Sequence, residues 1–485
     1  MVSFSEISPT TRTPFVYLEF DASRATQGVP AQPYKGLLVG QRRAGSIPVL
    51  TPARISSPSQ AAAYFGVGSQ LHQMAVAWFA NNQETETWAI GVADPAGTAA
   101  TGSIAFGGSA TENGTIAAYV GGRRYPVAVV IAASTSALAT ALAAAVNADT
   151  SAPVTATAFT NTVTFTARHV GVIGNDIDVR VSYLDGETVP AGATATPVAM
   201  SGGAGDPTIS AIWAPLGDQW FNVMVIPFTD ATNLTAIETE LASRAGASRH
   251  IGGLHFACKA GTLATVQTLG NARNSPRSSI MGTNASPTLP WECASAIGGQ
   301  SAKALSNDAA RPLQTLPLIG MLAPLPTDRW TQAQRNSNLF SGITTFTVAA
   351  DGTCQIERAI STYKLNAQGG ADAAWLDVNT AATADFLRWD FVNYVSGRYP
   401  RHKLANDGTQ FASGQLIVTP SLMRAELIGR FRQWEGLGLV EDFEQFKRDL
   451  IVERSTQDPS RLDILLSPNF VNGLRVVAAR LAFIV

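Results

Sequence analysis

The sequence predicts a multidomain α+β or α/β protein. Three observations carry that expectation. Strands alternate with helices in two separate blocks, a nearly charge-free β-rich tract lies between those blocks, and from Asp372 to Leu450 the pattern is helical. Length and composition agree with this reading. The chain has 485 residues, 46% of them hydrophobic and 14% charged, with 34 Lys+Arg against 36 Asp+Glu. An average soluble protein carries about 25% charged residues. Apolar material for large cores is ample, and charge to coat several free domains is scarce, so much of the surface is expected to be covered.

Residues 1–33 read as an arm rich in Pro, Ser and Thr that holds one strand. In Phe15-Val16-Tyr17-Leu18-Glu19-Phe20-Asp21, Val16, Leu18 and Phe20 share one face and Tyr17 and Glu19 the other. A core block spans 34–93. Gly36-Leu37-Leu38-Val39-Gly40 reads as its first strand. Leu71, Met74, Ala75, Trp78 and Phe79 recur at helical spacing, and Thr87–Val92 reads as the next strand. Composition changes at Asp94-Pro95, and a Gly/Ala/Thr-rich tract runs to Pro207. It reads as an inserted β-rich domain over 94–207. Its expected strands are Thr115–Val120, Tyr125–Ile131, Val154–Phe159, Val163–Arg168 and Ile177–Tyr183, with a small helix carrying Leu138, Leu142 and Val146 behind Ser134 and Ser136.

Alternation resumes over 208–360. Phe221–Phe228, His250–Ala257 and Ser278–Thr283 read as strands, and Asp230 caps a helix bearing Leu234, Ile237 and Leu241. Thr344–Ala349 and Thr353–Ile360 flank the turn Ala350-Asp351-Gly352, which predicts a hairpin. Residues 361–472 form a mostly helical block in which Ser421–Trp434 stops at Gly436 and Arg461–Leu466 is a strand. The chain ends on a strand arm over 473–485.

That arm is apolar on both faces except for Arg475 and Arg480, an aggregation hazard if left free. Burying its seven large apolar side chains is worth about 10 to 20 kcal/mol gross. Ordering the twelve backbone residues of Leu474–Val485 costs about 12 to 24 kcal/mol. The two terms nearly cancel, so the strand orders only where a preformed sheet supplies backbone partners. That sheet is either the chain's own or a neighbour's.

Several functions are disfavoured. No uninterrupted apolar stretch approaches the ~18 to 20 residues of a spanning helix, and residues 1–14 lack the pattern of a secretory signal, so synthesis in a cytoplasm is expected. Near-zero net charge without a basic run argues against nucleic-acid binding. Cys258, Cys293 and Cys354 have no metal-ligand spacing. Buried thiols and bridges between subunits are the two readings left open for them. No GxSxG, HExxH, GxGxxG or GxxxxGK[ST] occurs. Ser361-Thr362-Tyr363-Lys364 fits SxxK without companion motifs, and His72, His169, His250, His255 and His402 are scattered.

Several segments, in order along the chain, resemble the contractile-tail sheath proteins of Mu-like bacteriophages. They are Arg12 through Asp21, Tyr34-Lys35-Gly36-Leu37-Leu38-Val39-Gly40-Gln41, Phe65-Gly66-Val67-Gly68-Ser69-Gln70-Leu71 and Gly174-Asn175-Asp176-Ile177-Asp178-Val179-Arg180. Tyr399 through Pro420, Gly438 through Phe443, and Asp458 to the end continue the series. The resemblance implies a non-enzymatic structural subunit without cofactor or metal, assembled in the host cytoplasm into a virion tail. It implies a subtilisin-like α/β core, stacked hexameric rings in a helical cylinder around a tail tube, and further contacts with baseplate and tail terminator proteins.

Nucleic acid and membrane are not among the partners implied. The terminal arms would exchange strands between subunits through Phe15, Val16, Tyr17, Leu18 and Phe20 at one end and Leu474, Val476, Val477, Leu481 and Phe483 at the other. The inserted domain would lie on the outside. Contraction would drive the tube through the host envelope. By position, tube contact falls to Ser421–Trp434 or Phe443–Lys447, with Arg424, Arg430, Arg432 and Lys447 as polar contacts; a core-packed helix with solvated arginines is the equal alternative. A hydrolase on the α/β core is the competing function.

Overall fold

The computed structural model describes Thr13 and residues 31–412 and 414–484. The expected strand at Phe15, Val16, Tyr17, Leu18 and Phe20 lies outside the described residues. The chain divides into two compact units, one of residues 33–389 and 470–485 and one of residues 1–32 and 390–469.

In the larger unit, β1 (Lys35–Gln41), β2 (Pro52–Ile55), α1 (Pro58–Phe65), α2 (Gln70–Asn81) and β3 (Glu86–Val92) come first. Ser57 and Ser69 hold the open ends of α1 and α2 by accepting from the Gln60 and His72 amides. The β-rich tract follows with β4 (Ala99–Gly108), β5 (Gly114–Val120), β6 (Arg123–Val129), α3 (Thr135–Ala148), β7 (Val154–Phe159), β8 (Thr162–Val170), β9 (Val179–Val181) and β10 (Ala193–Ser201). Then come α4 (Trp213–Leu216), β11 (Val223–Val225), α5 (Ala231–Arg244), β12 (Leu254–Ala260), α6 (Leu263–Asn271), β13 (Ser278–Thr283) and α7 (Pro290–Asn307). The unit continues with α8 (Gln332–Phe340), β14 (Thr345–Val348), β15 (Cys354–Arg358) and the start of α9 (Val378–Arg398).

The core sheet has six strands in the order β13-β12-β11-β1-β3-β2, all parallel except β2. Parallel sheets are covered on both faces, which explains runs such as Leu37-Leu38-Val39 that are buried without alternation. One side packs on α2 and α7, with Trp78 at its centre donating Nε1 to Thr87 Oγ1 at 2.9 Å. The other side packs on α5, where Leu234, Ile237 and Leu241 are fully buried.

Helix α7 places Trp291, Ala294, Ile297, Ala302 and Leu305 at helical spacing, but Gly298, Gly299 and three serines lower its helix propensity and hide it in the sequence. Its Gly298 lies so close to the sheet that a Cβ there would meet Val225 Cγ2 at 2.4 Å. The expected strand Phe221–Phe228 shortens to β11 because Pro227 cannot donate to a ladder. The strand expected from His250 starts instead at Leu254, because His250 takes a left-handed φ of 56° that breaks extension. The hairpin of β14 and β15 turns at Asp351-Gly352, with Gly352 at φ 86°.

Residues between β3 and β11 build two further antiparallel sheets, β10-β4-β8-β7 and β6-β5-β9, with α3 packed on them. Strands β4 and β10 escape sequence reading because Gly, Ala and Thr dominate them, and only Ile104 and Phe106 betray an alternation.

The smaller unit takes the end of α9, then β16 (Lys403–Leu404), β17 (Ile417–Val418), α10 (Pro420–Gly436), β18 (Val440–Glu441), α11 (Phe443–Asp449), β19 (Ile451–Arg454) and β20 (Leu462–Leu465). Thr419 caps α10 and Asp442 caps α11. Phe431 stacks on Phe446 with centroids 4.1 Å apart, joining those two helices. Among the described residues, no helix is long and apolar enough to cross a membrane.

Candidate assembly surfaces

The expected C-terminal strand is not a strand in the isolated chain. Residues 471–484 form no ladder, and Leu474, Val476, Val477, Leu481 and Phe483 are 70%, 80%, 77%, 92% and 81% exposed. No sheet among the described residues takes them up, in line with the near cancellation of burial and ordering terms. The segment is nevertheless held at its root. Arg475 reaches Asp377 Oδ1 at 3.1 Å and Asn379 Oδ1 at 3.2 Å, and Gln314 Nε2 donates to the Leu474 carbonyl at 3.5 Å. Asn379 is fixed in turn by donating to the carbonyls of Ala309 and Arg311. Sequence reading missed this clasp, because its members lie about a hundred residues or more from Arg475 and form no local motif.

A second open surface lies in the smaller unit. Among the described residues, strands β19 and β20 pair only with each other, in the register Ile451↔Leu465 to Arg454↔Leu462. Ile451 and Leu465 are 49% and 54% exposed. A two-stranded ribbon is marginal in water, and its outer edges carry unpaired backbone donors and acceptors.

The four basic residues singled out on α10 and α11 separate into different roles. Arg430 is buried, pairs with the fully buried Asp390 through Nε at 2.6 Å, and lies over the Tyr394 ring at 4.8 Å. It therefore presents no surface for a contact, which corrects its expected role. Arg424 spends its guanidinium on the carbonyls of Lys447 and Leu450, joining α10 to the end of α11. Arg432 is exposed, paired with Glu435 at 2.6 Å and laid over Phe443 at 3.2 Å. Lys447 is exposed on α11.

The remaining candidate chemistry is structural. Cys258, Cys293 and Cys354 are free and buried, so a bridge to another subunit would require the core to open; the bridging expectation is corrected. The Cys258 thiol and burial push Cys293 well above its ordinary range, and burial pushes Cys354 up to about 11, leaving inert thiols. In the SxxK run, buried Ser361 donates to the Trp375 carbonyl, and Lys364 Nζ is spent on the carbonyls of Gly270 and Arg273 at 2.6 and 2.7 Å. These are the carbonyls at the end of α6, where a cation is favoured. Among the described residues, no cluster of His, Cys, Asp or Glu could hold a metal ion.

His255 is fully buried between Ser278 Oγ at 2.8 Å and the Ile226 carbonyl at 2.9 Å, and burial lowers its pKa to about 4. Its native pKa lies below the unfolded value near 6.5. The native state therefore binds fewer protons, and stability is complete above pH 6.5 and falls as pH drops toward 4. The expected loss is about 3 kcal/mol at 1.36 kcal/mol per unit. Urea midpoints for wild type and His255→Gln across this range check it: the wild-type curve should fall more steeply, and parallel curves would refute the assignment.

Residues 202–362 match the phage tail sheath protein central domain and residues 371–484 the phage tail sheath C-terminal domain. The chain belongs to the phage tail sheath family, the structural, non-enzymatic proteins of contractile tails. It is 39% identical over 485 residues to the Mu-like prophage FluMu tail sheath protein of Haemophilus influenzae, covering 100% of this chain and 99% of that one. Among solved structures, the sheath tail protein of Desulfitobacterium hafniense matches 95% of this chain and 97% of its own with TM-score 0.49 and 15% identity. The anti-feeding prophage helical sheath in its contracted state matches 97% of this chain and 99% of its own with TM-score 0.49 and 12% identity. The hydrolase alternative finds no support.

Proposed function

We propose that copies of this chain stack as hexameric rings in a helical cylinder around a tail tube and contract to drive that tube through the host envelope. One observation carries the reading: an exposed apolar C-terminal segment, clasped at Arg475 and unable to order by itself, in a chain of the sheath family. The open ribbon of β19 and β20 supplies edges of the kind such a segment needs, so the C-terminal arm of one copy adds a strand to the ribbon of another. The N-terminal run Phe15 to Phe20 acts in the same way. The parallel sheet and its covering helices form the subtilisin-like core, residues 94–207 form an outer domain, and residues 361–472 face the tube. Exposed Lys447 and Arg432 remain the tube-contact candidates, Arg424 serving to brace them. Baseplate and tail terminator proteins close the two ends of the cylinder. No nucleotide is consumed, because folding and assembly load the energy of the extended lattice.

Electron microscopy of the purified protein tests the proposal. Hollow helical cylinders are the expected result. Discrete monodisperse particles with peptidase activity would overturn it.

A further inference from the structure

The four-stranded sheet β10-β4-β8-β7 buries one face, with Ile104, Phe106, Val163 and Phe165 in the domain core. Its other face is built almost entirely of hydroxyls. The pairing register aligns Ser201, Thr101, Thr166 and Thr155 in one row across all four strands. The next row brings Ser103, Thr164 and Thr157 together beside Val198, and the third ends at Phe159, which is 79% exposed. Strand geometry spaces the rows about 6.8 Å apart and neighbours within a row about 4.8 Å apart. None of these positions is charged. The first charge along the face, Arg168, is turned onto the Ala152 carbonyl at 2.8 Å. Thr101, Thr157 and Thr164 are exposed, and their hydroxyls make no hydrogen bond with the described residues.

This surface selects its occupant by what each kind would lose. A charged partner would desolvate its ions against a face with no counter-charge, and an apolar partner would strand the hydroxyls, at about 1 to 3 kcal/mol each. An uncharged partner that itself carries hydroxyls can exchange hydrogen bonds one for one. Each threonine also offers a methyl group, and Phe159 offers a ring, to the C–H faces of a sugar. We propose that this threonine face binds a neutral polysaccharide. The face lies before residue 202, outside both matched family domains.

Retention of the full-length protein on amylose, cellulose and cross-linked dextran beads, at low and high salt, tests the proposal. Binding to at least one matrix, insensitive to salt, is expected. The double variant Thr157→Lys/Thr164→Lys and the variant Phe159→Ala should each weaken it about tenfold or more, which corresponds to about 1.4 kcal/mol. Circular dichroism and the urea midpoint should stay unchanged. Absence of retention on all of these matrices would overturn the proposal, as would equal retention by both variants. A change in particle assembly instead of retention would assign the face to contact between copies and overturn it equally.

Discussion

Truncation directly after Arg475 is expected to leave a folded subunit that no longer polymerises. The cut removes Val476, Val477, Leu481, Phe483 and Ile484, all exposed in the isolated chain, and keeps the clasp to Asp377 and Asn379. The folded core therefore loses almost no contact, and its urea midpoint should match that of the full chain. Assembly loses the burial of five large apolar side chains, about 8 to 15 kcal/mol gross at roughly 1.5 to 3 kcal/mol each. It also loses every backbone bond the added strand would make. Electron microscopy and sedimentation check both halves. Normal cylinders from the truncated chain would remove strand exchange from the account, and a lowered midpoint would show that the segment serves its own subunit.

Asp390→Ala is expected to destabilise the smaller unit by about 3 to 5 kcal/mol. The carboxylate is fully buried and accepts from Arg430 Nε and Trp434 Nε1, each at 2.6 Å, which ties α9 to α10. Its loss strands a guanidinium that is 7% exposed and leaves the indole N–H without an acceptor. Removing both charges together in Asp390→Leu/Arg430→Met should cost much less, because no unpaired ion remains. Urea unfolding followed by tryptophan fluorescence measures the difference. Equal losses in the single and double variants would refute the assignment.

How much of this was legible in the sequence varied with the range of the interaction. Helices α2, α3 and α5 could be read from one apolar stripe and a Ser or Asp cap, because both signals lie within a few residues of each other. Strand β13 could be read from end to end, and the hairpin of β14 and β15 could be read from Asp351-Gly352, for the same reason. Helix α7 was missed, since Gly298-Gly299 and its serines make a stretch of low helix propensity out of a stripe of mostly small residues. The threonine strands β4 and β10 could not be read either, since one of their faces is as polar as a loop.

Similarity along the chain was enough to indicate the sheath family, and the low charge set the expectation of covered surface. By itself the sequence determined the elements whose signals are local, together with an apolar terminus unable to order unaided. Only the tertiary structure decided which arginines are buried, which are braces and which face outward, because identical side chains on one helix differ solely in what the fold places against them. It also decided that the terminal segment joins no sheet among the described residues, while its root is fixed by residues about a hundred or more positions away.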